Sequence, residues 1–204
     1  WSSDVCSSDL ISAGDAEGKV LAIASPAEIA VLENGDPRPV LSVTCPVLQL
    51  PKPISAVLTM DMSGSMGGGG LDLAKAAAHA WIDAFPAGLS QCAITSFNHA
   101  NALVQDFTND RQLLRNGVDA LRAGGGTSFD AAFTSPFAGA IPVVARGAHR
   151  RIIVLLTDGQ ALGNEAAIIA AAKQAAATVF CITLDNEMPE LLKHIAEQTG
   201  GQWF

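Results

Sequence analysis

The chain is 204 residues long, which fits one full domain with an appendage and not two full domains. Hydrophobic residues make up 49%, charged residues 16% and aromatics 5%, with no tyrosine, so a disordered chain is excluded and the core must be built from Ala, Val, Ile and Leu. The formal net charge of −8 repels phosphate backbones and argues against nucleic acid as a partner.

The first ten residues, WSSDVCSSDL, have neither the basic start nor the apolar stretch of an intact secretory signal, and they match nothing else in the chain. Residues 1–18 are therefore left unassigned, as a foreign or disordered lead. Residues 19–52 read as a β-rich extension with a proline linker. Apolar runs at 20–23, 29–32 and 40–43 flank the turn Glu33-Asn-Gly-Asp-Pro, whose Asn34-Gly35 pair is a hairpin signal. Pro46, Pro51 and Pro53 punctuate the linker.

From residue 53 to 204 short apolar runs alternate with stretches of helical period, which predicts an α/β domain with a doubly wound, mostly parallel sheet flanked by helices. A strand at 54–61 leads through a Gly-rich turn into a helix at 71–85, with Leu71, Ala74, Ala78, Trp81, Ile82 and Phe85 on one face. Strands at 92–97 and 102–107 lie too close for a crossover helix and should pair antiparallel. Asn109 is expected to cap a helix reaching Arg122, with Leu113, Leu114, Val118 and Leu121 inward. A helix at 128–145, interrupted near Pro136 and Pro142, precedes an almost wholly apolar strand at 151–157, which suits burial on both faces. A helix at 165–177, a strand at 178–184 and a helix at 188–199 complete the pattern. The sequence stops at Gly200-Gly-Gln-Trp-Phe204, where another strand begins, so the chain is expected to be a piece of a longer protein.

No apolar run of 18 residues lacks a charge, and the closest, 166–184, contains Lys173 and Gln174, so no membrane span is expected. Cys6, Cys45, Cys92 and Cys181 form no CxxC pair, which supports neither a zinc knuckle nor a disulfide framework and leaves the redox compartment open.

In an open α/β sheet, ligands bind beyond the carboxyl ends of the strands. Three such ends are polar: Asp61-Met-Ser63-Gly-Ser65, Thr157-Asp158-Gly159, and Thr127 after Gly124-Gly-Gly126. Asp61, Asp158 and the hydroxyls of Ser63, Ser65 and Thr127 form an oxygen-only set, suited to a hard divalent cation and not to zinc or copper. Other features have plainer readings. Residues 67–70 lack either phosphate-loop signature and read as a flexible loop. His79 and His99 read as solvated, and Cys92 and Cys181 as buried thiols.

The five polar positions, in this order and on these elements, resemble the metal-ion-dependent adhesion site of von Willebrand factor type A domains, and the likeness covers about 53–204. The stretch Val31-Leu-Glu-Asn-Gly-Asp-Pro-Arg-Pro-Val40 is similar to leaders that precede such domains in bacterial surface or secreted proteins. The resemblance implies that Ser63 and Ser65 ligate the metal directly, Thr127 directly or through water, and Asp61 and Asp158 mostly through water. A partner's Asp or Glu would complete the shell. Mg²⁺ is the expected ion, with Mn²⁺ or Ca²⁺ as alternatives, and an extracytoplasmic location is favoured over a cytoplasmic one. Asp185-Asn186-Glu187 departs from the small residue frequent in the family and adds negative charge to the rim. Catalysis is not expected. The alternative is a metal-assisted hydrolase or phosphatase, but Ser63 stands where an aspartyl phosphatase has an acid, no GxSxG elbow is present and no His is placed as a base.

Overall fold

The computed structural model describes residues 30–40, 52–86, 88–159, 161–185 and 187–204. The chain forms two units divided near residue 50. In the first, β1 (Val31–Glu33) and β2 (Asp36–Arg38) form the expected hairpin. Asn34 and Gly35 have φ of 55° and 93°, the left-handed pair whose twist matches that of the strands they join. The lead at 1–18, the apolar runs at 20–23 and 41–43, Cys6, Cys45, Pro46, Pro51 and Asn186 lie outside the described residues.

The second unit runs β3 (Ile54–Asp61), a 3₁₀ turn (Gly64–Met66), α1 (Gly70–Ala84), β4 (Gln91–Phe97), β5 (Asn101–Thr108), α2 (Arg111–Ala120), α3 (Phe129–Phe133), α4 (Ala140–Ala145), β6 (Arg150–Thr157), α5 (Glu165–Gln174), β7 (Ala177–Thr183) and α6 (Glu190–Gln198). Its sheet has the order β5-β4-β3-β6-β7. Only β5 is antiparallel, because the short link from Phe97 to Asn101 leaves no room for a crossover.

Period-two alternation divides the buried side chains between the two faces of the sheet. Val57, Ile153, Leu155 and Val179 pack with Phe129, Phe133, Val144, Ile168 and Leu192, from α3 to α6. Ala56, Leu58, Met60, Ile94 and Leu156 pack with Ala74, Ala78, Ile82, Leu114 and Val118, from α1 and α2. The central strands are thus covered on both sides, which is the doubly wound, mostly parallel α/β architecture expected from the sequence. From β3 the chain winds outward to β4 and β5, then returns to the other side of β3 as β6. The switch in direction lies between β3 and β6, and it is at such a point that the carboxyl ends of strands open a crevice.

Several element boundaries differ from expectation. Asp110, not Asn109, caps α2, accepting from the backbone N–H of Gln112 at 2.8 Å and of Leu113 at 3.3 Å, and the helix ends at Ala120. Leu113 is 45% exposed instead of inward. Leu71 and Trp81 are only half-buried against the core. The helix at 128–145 is interrupted near Pro136 as expected, leaving two short helices. The break falls at 134–139, whereas Pro142 sits in the first turn of α4, where a missing N–H is tolerated. Likewise α5 stops at Gln174, Ala177 already belongs to β7, and Pro189 flanks α6 as its N-cap. At the end of the chain Cys181 N–H donates to Gln202 O at 3.1 Å and Phe204 N–H to Cys181 O at 2.9 Å, so residues 202–204 begin to add beside β7 in parallel.

Candidate metal centre

Asp61 ends β3 with no exposed surface. Such a carboxylate must be satisfied internally. Its Oδ1 accepts the backbone N–H of Ser63 at 2.8 Å, and its Oδ2 accepts the Thr157 hydroxyl, which donates at 2.6 Å across the β3–β6 boundary. Burial nevertheless pushes the Asp61 carboxyl above the ordinary carboxylate range. The bonds from Thr157 and Ser63 oppose that shift, and the negative charge of Asp158 adds to it.

From Asp61 a string of oxygens runs outward. Ser63, 2% exposed, places its Oγ 3.0 Å from that of Ser65, and Ser65 Oγ donates to Asp158 Oδ1 at 3.0 Å. The 3₁₀ turn that carries Ser65 is held by Met66 N–H to Ser63 O at 3.1 Å and Gly67 N–H to Gly64 O at 3.1 Å. Asp61, Ser63, Ser65 and Asp158 are therefore brought together from the ends of two adjacent parallel strands.

Thr127 arrives on a third segment. Gly64 N–H donates to Gly125 O at 2.8 Å and Gly124 N–H to Met62 O at 2.7 Å, which laces the Gly-rich stretch to the Asp61–Ser65 loop. Asn98 clamps the same stretch, donating from its carboxamide to Gly124 O at 2.7 Å and accepting Ser128 N–H on its backbone O at 3.0 Å. Gly125 has φ of 91°, a conformation that favours glycine, and a Cβ there would lie 2.6 Å from His99 Nδ1, so the exposed imidazole would have to move. Thr127 is half-buried on this docked loop, and no hydrogen bond joins its hydroxyl to the other four among the described residues. Ser128 serves as the N-cap of α3, accepting from Ala131 N–H at 3.3 Å.

Two residues of this arrangement escape the sequence reading. Thr157 reads there only as a strand end, and Asn98 not at all. Thr157 could be found only with the register in hand: Met60 lies opposite Leu156, so the next pair along the strands is Asp61 with Thr157.

Among the described residues no three of His, Cys, Asp and Glu gather closely enough to hold a metal. The carboxylates here number two, and the remaining donors are hydroxyls. That set fits a hard, oxygen-preferring cation with room for water and an outside ligand. A buried carboxylate that is costly to ionise, facing neutral hydroxyls spaced at 3.0 Å, is also stabilised by a nearby positive charge.

The von Willebrand factor type A domain profile matches residues 56–160, just over half of the chain. The chain belongs to this family. Domains of the family commonly mediate protein interactions. No curated protein matches the chain. Among solved structures, a von Willebrand factor type A protein from Catenulispora acidiphila is 23% identical with a TM-score of 0.63, over 74% of this chain and 38% of that one. This chain thus spans less than half the length of that protein. An aerotolerance-related membrane protein from Bacteroides fragilis NCTC 9343, with multiple mutations to serines, is 17% identical with a TM-score of 0.57, over 74% of this chain and 90% of that one. Proximal thread matrix protein 1 from the mussel byssus, with a zinc-occupied metal-ion-dependent adhesion site, is 16% identical with a TM-score of 0.60, over 74% of this chain and 41% of that one. These likenesses are of fold. No helix among the described residues is long and apolar enough to cross a membrane.

Proposed function

We propose that this von Willebrand factor type A domain is a non-catalytic, metal-dependent binding module that captures an acidic side chain of a partner protein. The observation that carries the reading is the hydrogen-bonded string of Ser63, Ser65 and Asp158 beside buried Asp61, at the sheet's switch point. Ser63 and Ser65 would hold the ion directly, Thr127 directly or through water, and Asp61 and Asp158 through water, as in the adhesion sites the motif resembles. The bound cation would supply a partly neutralised positive charge open to a carboxylate from outside.

This chain's own residues prepare that point. Thr157 and the Ser63 amide fix the Asp61 carboxylate, Asn98 and the Gly-rich stretch fix the loop of Thr127, and the hydroxyls add no charge, so an anionic ligand gains most. Mg²⁺ is the proposed ion, with Mn²⁺ and Ca²⁺ as alternatives. The zinc found in the mussel protein makes Zn²⁺ the competitor to include. We also propose an extracytoplasmic location, in keeping with the membrane protein among the structural neighbours. Fractionation of the source cells tests it.

Calorimetry with Mg²⁺, Mn²⁺, Ca²⁺ and Zn²⁺ on the folded chain, then pull-down from surface extract with and without chelator, tests the module as a whole. No divalent binding would end the proposal. Turnover of generic phosphate or ester substrates that vanishes in Asp61→Asn would replace it with the hydrolase reading.

A further inference from the structure

Helices α5 and α6 lie side by side on one face of the sheet and leave between them a groove of about 580 Å³. Its apolar lining comes from α5, where Ala166, Ile169 and Ala170 recur with Lys173 at the spacing of one helical stripe. Two polar contacts join the helices across it. At the start of α5, Glu165 Oε1 lies 3.3 Å from His194 Nδ1, and near its end Lys173 Nζ donates to Gln198 Oε1 at 3.3 Å. Both charges stay within reach of an outside group. Glu165 keeps 41% of its side-chain surface exposed and His194 53%, and Lys173 meets only a neutral amide among the described residues.

The order of these groups is its own complement when reversed. Glu165 stands four residues before Ile169, and Lys173 stands four residues after it. A second α5 laid antiparallel, with a two-fold axis through Ile169, therefore sets Glu165 of each copy against Lys173 of the other and Ile169 against itself. A parallel arrangement would oppose Glu165 to Glu165 and Lys173 to Lys173. The charges thus select direction and register, while the apolar centre supplies the burial.

We propose that the α5–α6 groove is a homodimer interface, in which α5 of a second copy packs antiparallel and is paired at each end through Glu165 and Lys173. The consequence is reach. Helix α5 starts just beyond the carboxyl end of β6, the end that carries Asp158, so antiparallel helices direct the two candidate metal centres away from each other. Such a dimer joins two partner molecules and does not grip one twice. That bridging rests on the metal-dependent reading of the site, whereas the pairing of the chains does not.

Sedimentation equilibrium of the folded chain in chelator, from about 10 μM to ~1 mM, tests the pairing independently of any metal. A groove of this size makes a small interface, so a reversible dimer with a dissociation constant on the order of 100 μM is expected. Glu165→Lys and Lys173→Glu should each weaken it by roughly tenfold or more, since either change sets like charges face to face at both ends. An equimolar mixture of the two variants should recover the parent's affinity, because one then carries only basic ends and the other only acidic ones. Recovery in the mixture also excludes misfolding as the cause of the loss. A chain that is monomeric throughout, single variants that dimerise like the parent, or a mixture that stays monomeric would overturn the proposal, the first of these leaving the groove to a helix of another protein.

Discussion

At Asp61 the requirements of folding and of binding conflict. A carboxyl whose folded pKa is raised holds its proton more tightly in the native than in the unfolded chain. Its contribution to stability is thus fully present below the ordinary carboxylate range and lost as pH rises through the raised value. Ionising Asp61 in the metal-free protein works against its burial. Asp61→Asn should therefore raise the melting temperature of the metal-free protein, by roughly 2–4 °C for each kcal/mol relieved, and flatten its pH dependence in the acid range. The same variant should lose any melting shift on adding Mg²⁺. Thermal melts from pH 3 to 8 with chelator, repeated with Mg²⁺, check both signs. A variant less stable than the parent in chelator would show that the Thr157 and Ser63 bonds outweigh burial. Thr157→Val should act oppositely: removing the 2.6 Å bond leaves the buried carboxylate with one partner fewer and should cost about 1.5–3 kcal/mol at neutral pH, measured by denaturant unfolding.

Among the elements, the strands were far more legible than the connections between them. Apolar runs at 54–61 and 151–157 have few alternatives to a buried strand, and the short gap after Phe97 forces the antiparallel edge. Helix limits were less visible, because Asn109 and Asp110 are both competent caps and only the path of the chain selects Asp110. Residues 128–145 read as a helix interrupted near Pro136 and Pro142: the first break is found at 134–139, where Phe137 adopts a φ of 72°, whereas Pro142 lies inside α4 and interrupts nothing. The candidate site was legible through its side chains and not through its supports: the stretch 124–126 reads only as a Gly run ahead of Thr127 until its bonds to Met62 and Gly64 are known. That difference is testable within one stretch. Gly125→Ala forces a Cβ to 2.6 Å from His99 Nδ1 at a positive φ and should displace the Thr127 loop, lowering Mg²⁺ affinity in calorimetry by roughly tenfold or more. Gly124→Ala meets nothing within 4 Å and should stay within about 0.5 kcal/mol of the parent in stability.

For the whole molecule, a cation that binds only the native state raises stability by mass action, about 2.7 kcal/mol at one hundred times its dissociation constant. Asp158→Ala should abolish that gain, since it removes the outer end of the oxygen string. Partner capture poses a different problem, because the chain carries a net charge of −8 and is proposed to seize a carboxylate. Near contact the bound dication dominates, and the pair is too close and too desolvated for salt to screen it well. At longer range the two carboxylates of the site offset the cation, and an acidic partner meets the negative field of the rest of the surface. Salt should therefore act on the approach and not on the bound state: between about 50 and 300 mM NaCl, well across the range where the Debye length falls below ~10 Å, the association rate of an acidic partner should rise while its dissociation rate holds steady. Surface-immobilised domain, saturated with Mg²⁺ and exposed to the partner across a salt series, separates the two rates. An association rate that falls steeply with salt would mean that the approaching carboxylate is steered by positive charge, and the balance of fields drawn from this sequence would be wrong.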